Sequence, residues 1–118
     1  MSHFTGNVIC FKEIDSGFVM VHPYGITIAE GTKVGKNCTV FKGCVLGAIR
    51  SGRKIGCPTL EDNVVVCCNA MVCGNIHIGN DVMIAANAFV DFDVPDHSIV
   101  IGNPGVIHYK EGAAKDWN

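Results

Sequence analysis

No run of apolar residues in this 118-residue chain approaches the roughly eighteen needed for a membrane-spanning helix. Lys and Arg number nine against eleven Asp and Glu and are scattered, so there is no basic stripe to meet a nucleic-acid backbone. Met1-Ser2-His3-Phe4 does not begin a signal peptide. No C-x-x-C pair occurs, so Cys57, Cys67, Cys68 and Cys73 lack a zinc-site spacing, and His22, His77 and His97 stand apart instead of forming a three-imidazole metal site. These absences predict a cytoplasmic protein with no nucleic acid, membrane or metal among its partners. Seven cysteines are many, but the odd count suits reduced thiols that serve as small hydrophobes.

What is present is a period. Ile28, Val34, Val40 and Leu46, then Leu60, Val66, Val72, Ile78, Ile84 and Val90, recur at every sixth residue with one break. A second set lies four residues further on: Thr32, Cys38, Cys44, Val64, Ala70, Ile76, Val82, Ala88 and Val94. Neither a helical face nor strict strand alternation reproduces that spacing, whereas a hexapeptide repeat does. Each hexad predicts a short strand and a sharp turn, three closing one coil of a left-handed parallel β-helix, an all-β solenoid. Gly31, Asn37, Gly43, Asn63, Asn69, Asn75, Asp81 and Asn87 recur where the chain bends or takes positive φ.

The expected organisation is one domain over residues 1–118: an irregular first coil at 1–21, repeats at 22–94, and a C-terminal turn and tail at 95–118. Four or five coils follow from the length. Leu46 and Leu60 are fourteen apart, two more than two hexads, which predicts an inserted loop near 47–57 with its basic tip at Ala48 to Lys54. Gly102-Asn103-Pro104-Gly105 reads as a turn before a tail with a short helix from about Ala113. A narrow core with open sides gains from burial against copies of itself, so a homotrimer is expected.

Counting six back from Ile28 puts His22 at an aliphatic position, where imidazole is a poor filler unless it faces a site. Its ordinary pKa near neutrality suits it to accept and return a hydroxyl proton. From the residues alone, the alternative is a structural histidine capping the core.

His22-Pro23-Tyr24-Gly25-Ile26-Thr27-Ile28-Ala29-Glu30, Val34-Gly35-Lys36-Asn37, Val45-Leu46-Gly47, Pro58-Thr59-Leu60-Glu61-Asp62-Asn63-Val64, Gly74-Asn75-Ile76-His77-Ile78-Gly79, Val94-Pro95-Asp96 and Gly102-Asn103-Pro104 together resemble the serine O-acetyltransferase branch of the hexapeptide acyltransferases. The likeness runs from His22 to Ile107 and extends to short relatives that act on sugars. It implies acetyl transfer from acetyl-CoA to a small-molecule hydroxyl, with His22 as general base and main-chain N–H groups holding the oxyanion. No covalent enzyme intermediate is implied. The coenzyme groove would run beside Gly47-Ala48, Cys68-Asn69-Ala70 and Ala85-Ala86, with Lys110 toward its phosphates.

Departures from the family pattern bear on the acceptor. The run before Pro58 reads Ile55-Gly56-Cys57, lacking the family's arginine and second histidine, and Asn7 stands where its imidazole-orienting aspartate would fall. Glu30 matches a family glutamate, and Arg53 could reach in from the loop. A sugar or other neutral alcohol, stacked on Tyr24, is therefore favoured over free serine, whose carboxylate needs a partner when buried. The competing expectation is a non-catalytic solenoid that binds or scaffolds without transferring acetyl.

Overall fold

The computed structural model describes residues 6–115. The chain winds through five coils. The first holds β1 (Val8–Ile9), a single bridge at Ile14 and β2 (Val19–Val21). The second holds β3 (Thr27–Ile28), β4 (Lys33–Val34) and β5 (Thr39–Phe41), and the third β6 (Val45–Gly47), β7 (Thr59–Leu60) and β8 (Val64–Val66). In the fourth lie β9 (Met71–Cys73), β10 (His77–Ile78) and β11 (Val82–Ile84); the fifth has β12 (Phe89–Val90), a bridge at Val94 and β13 (Ser98–Ile101). β14 (Val106–Tyr109) then pairs antiparallel with β13, and a 3-10 turn spans Ala113–Lys115.

Corresponding strands of successive coils pair in parallel and build three faces. The first is β1-β3-β6-β9-β12, the second β4-β7-β10 and the third β2-β5-β8-β11-β13, closed by β14. The periodic aliphatics point inward: Ile28, Leu46, Val72 and Val90 stack behind the first face, Val34, Leu60 and Ile78 behind the second, Val40, Val66, Ile84 and Val100 behind the third, all buried. Corners carry the second interior set. Cys44, Ala70 and Ala88 fill one with small side chains, while Cys38, Val64 and Val82 fill another. The thiols of Cys38 and Cys44 donate to the carbonyls of Glu61 and Cys67 at 3.2 and 2.8 Å, and burial pushes both up to about 11. They remain protonated small fillers.

The structure amends the sequence pattern in several places. Eighteen residues separate the paired Ile28 and Leu46, but twenty-six separate Leu46 from Val72, so the insertion is eight residues and not two. Ile49 and Gly56 exchange two main-chain hydrogen bonds of 2.9 Å, which makes the loop a small hairpin with Arg50 and Arg53 exposed at its end. The solenoid does not stop at Val94. Val94 itself takes the second-face position, bridging Ile78, because the last coil is shorter, and Val100 then fills the third. The first coil, expected to be irregular, pairs with the second at offsets of nineteen residues from Ile9 to Ile28 and twenty from Met20 to Val40, where Ile28 and Leu46 are eighteen apart. At the Gly74-Asn75 corner the positive φ falls on Gly74, not on Asn75.

Candidate functional site

The corner between the third and first faces differs between coils. Six residues separate Val40 from Leu46, the inward pair flanking it in the second and third coils, whereas eight separate Met20 from Ile28. The two extra residues form a bulge around His22-Pro23. Met20, not His22, therefore takes the rung paired with Val40, and Ile26 fills the interior place that Cys44 has one coil later. His22 is exposed, neither filling the core nor capping it. Its φ of +50 is left-handed, a conformation that costs a non-glycine residue about 1–3 kcal/mol and that surrounding contacts must hold.

Those contacts are visible. The Tyr24 N–H donates to the His22 carbonyl at 2.7 Å across Pro23. Asn7, buried in the first coil, donates from Nδ2 to the Pro23 carbonyl at 2.6 Å and accepts the Ile26 N–H on Oδ1 at 2.9 Å. From this bulge the corner continues as a line of main-chain rungs. Gly43 N–H reaches the Tyr24 carbonyl at 2.8 Å, Asn69 N–H the Lys42 carbonyl at 3.0 Å, and Asn87 N–H the Cys68 carbonyl at 3.0 Å. Tyr24, Lys42, Cys68 and Ala86 thus succeed one another along a single edge below His22.

One protomer brings together only some of the expected site residues. His22, Tyr24, Cys68 and Ala86 share that edge. Ala70 lies on it too, but its methyl is fully buried and its N–H and carbonyl bond to Cys67 and Val45, so it serves the interior. Glu30, Gly47, Ala48 and Arg53 belong to the next corner, across the first face. There Glu30 is exposed, 4.0 Å from Lys12, and its carbonyl accepts the Cys57 thiol at 3.1 Å. Lys110 follows β14, with its N–H on the His97 carbonyl at 2.7 Å, at the remaining corner. The sequence reading missed Lys42 and the clamp made by Asn7. Lys42 sits in an ordinary hexad turn eighteen residues after Tyr24, so the six-residue count itself places it one coil further on, although nothing else in its hexad marks it as a site residue.

A cavity of about 710 Å3 lies elsewhere, between the third face and the tail, lined by Asn37, Asn63, Asp81, His97 and Lys115 among others. It does not include His22. Among the described residues no three His, Cys, Asp or Glu side chains converge as metal ligands, and no helix is long and apolar enough to cross a membrane.

Five coils of hexads on three parallel faces define a hexapeptide-repeat β-solenoid, and the family model described as bacterial transferase hexapeptide (six repeats) matches residues 58–91. Within that class the chain is similar to serine acetyltransferases. It is 39% identical over 105 residues to the serine acetyltransferase of Synechococcus elongatus, an alignment covering 87% of this chain and 42% of that protein. The crystal structure of Neisseria gonorrhoeae serine acetyltransferase superposes with a TM-score of 0.80 at 28% identity, over 96% of this chain and 45% of that one. Serine acetyltransferase from Brucella abortus, solved in complex with coenzyme A, gives 0.76 at 27% identity over 83% and 39%. The chain spans less than half the length of these relatives.

Proposed function

We propose that this protein is an acetyl-CoA-dependent O-acetyltransferase in which His22 is the general base. Its placement carries the reading: an exposed imidazole, held in a strained bulge, at the head of an edge that continues through Lys42 and the half-buried Cys68 to the exposed Ala86. The similarity to serine acetyltransferases, one of them solved with coenzyme A, supplies the donor. In the proposed reaction the imidazole takes the acceptor's hydroxyl proton as the oxygen attacks the acetyl carbonyl. The tetrahedral oxyanion is met by main-chain N–H groups; its collapse forms the ester and expels the CoA thiolate, which receives the proton back from imidazolium. None of the cysteines need act as a nucleophile.

The proposed assembly is a left-handed solenoid trimer. The first face presents Val8, Thr27, Val45, Met71 and Phe89 outward in one paired column, an apolar strip that a copy of the chain would cover. Packing of that kind brings the His22 edge of one protomer toward the Gly47-Ala48 corner and Arg53 loop of its neighbour, joining residues that a single protomer keeps apart.

For the acceptor, the missing arginine and histidine before Pro58 favour a neutral alcohol such as a sugar. Lys42, one rung from Tyr24, favours instead an acceptor with a carboxylate, such as serine. Rates with serine and with a neutral sugar, each measured on wild type and on Lys42→Ala, separate the two. The reaction itself is tested by His22→Ala, which should fold and assemble normally while acetyl transfer falls at least about a hundredfold. Full activity in that variant would refute the general-base role, and a wild type that binds neither acetyl-CoA nor CoA in calorimetric titration would favour a binding or scaffolding solenoid.

A further inference from the structure

Asn7 spends both ends of its side-chain amide on one corner. Its Nδ2 donates to the carbonyl of Pro23, the residue after His22, and its Oδ1 accepts the N–H of Ile26, the last residue before β3. Those two partners lie in the bulge and at its exit into β3, both just after His22. Asn7 is 8% exposed and lies in the first coil, so the clamp ties the wall of the solenoid to the segment that departs from its repeat. Neighbouring rungs fix only the margins: Val8 N–H bonds to the Ile26 carbonyl at 2.9 Å and Gly43 N–H to the Tyr24 carbonyl at 2.8 Å. Ahead of both, the left-handed His22 has the 2.7 Å Tyr24 bond at its own carbonyl and the Asn7 bond at the next.

We propose that Asn7 is the positioning residue for His22, acting on the main chain of its bulge and not as a charged partner of the imidazole. The claim rests on the reading of His22 as general base. It also accounts for an amide, where a carboxylate would be the better partner for an imidazolium. The site needs one donor and one acceptor on separate atoms, and an amide of this size offers both while a carboxylate offers only acceptors. An aspartate would keep the Ile26 bond but set its other oxygen against the Pro23 carbonyl, so Asn7→Asp breaks half of the clamp at nearly constant volume.

The experiment uses the full chain, with acetyl-CoA and serine as probe substrates and imidazole proton resonances assigned by comparison with His22→Ala. Asn7→Asp and Asn7→Ala should lower kcat about tenfold or more, leave KM for acetyl-CoA within about twofold, and shift the His22 resonance. The double variant Asn7→Asp/His22→Ala should retain the residual rate of His22→Ala, because Asn7 acts only through His22. An unchanged or raised kcat in Asn7→Asp overturns the proposal whatever the resonance does, as does a further loss in the double variant. Should Asn7→Ala not fold, Asn7→Asp, which retains one bond, carries the test. Should His22→Ala keep full activity, the general-base reading fails by itself and the resonance decides whether the clamp positions the ring.

Discussion

At the scale of single residues, the solenoid is set by how closely successive coils approach at their corners. A Cβ added to Gly35 would lie 2.6 Å from both the carbonyl carbon and the oxygen of Glu61 in the next coil, and neither can retreat without breaking the Gly35 N–H bond to Leu60. Gly35→Ala is therefore expected to lower stability by about 1–3 kcal/mol, the usual cost of overpacking, read as a lower midpoint in urea. An unchanged midpoint would mean that the coils can spread. Asn37, Asn63, Asp81 and His97 succeed each other at one corner with φ near +60, three of them short polar residues that tolerate the left-handed region. The Asn and Asp members were legible from the six-residue spacing; His97 was not, because the shortened last coil moved it out of count.

At the scale of elements, the tail is latched to the third face by one carboxylate. Asp81 accepts the N–H groups of Gly112 and Ala114 at 2.7 and 3.0 Å and the His97 ring at 2.6 Å, which places Ala113 and Ala114 in contact with the solenoid wall. Partial burial by itself would raise the Asp81 pKa, but the His97 ring and the two amides outweigh it and hold the carboxyl below its usual range. The same bond holds His97 above its ordinary value. The Asp81 contribution is present above about pH 4 and fades as pH falls through the lowered value. That of His97 is complete below about pH 6.5 and fades as pH rises through the raised one. Hydrogen-exchange protection of the Gly112 and Ala114 amides should accordingly be greatest between about pH 4 and 6.5. In Asp81→Ala, opening of the tail should become easier by about 1.5–3 kcal/mol, with the rest of the solenoid protected as before. Equal protection at pH 5 and 8 would show that the His97 bond contributes nothing. A turn at 102–105 and a helical segment near Ala113 could be read from the residues, but not that Asp81, thirty-one positions before Gly112, holds them.

At the scale of the whole molecule, the three faces differ in what they turn outward. Lys33, Thr59 and His77 line the second face, a surface suited to water, while the first face carries the column of Val8, Thr27, Val45, Met71 and Phe89. Met71 is 41% exposed in the single protomer. Two lysines placed in this column, Met71→Lys with Phe89→Lys, should convert the proposed trimer to monomer in sedimentation velocity, with the secondary structure intact. A wild type that sediments as a monomer would remove the assembly and with it the shared site.

By itself the sequence determined the solenoid, because a side chain returning inward every sixth residue leaves the backbone no other regular path that buries it. It determined the thiols' role at Cys38 and Cys44 for the same reason, since each is defined by a place in the count. Only the tertiary structure decided where the count fails: the two residues added around His22, the eight in the loop and the shortening before Val94. A local insertion shifts which residue faces inward, and hydrogen bonds between coils absorb the shift. Those bonds, such as Asn7 to Pro23 and Asp81 to the tail, join residues sixteen and more apart, so no window along the chain contains both partners.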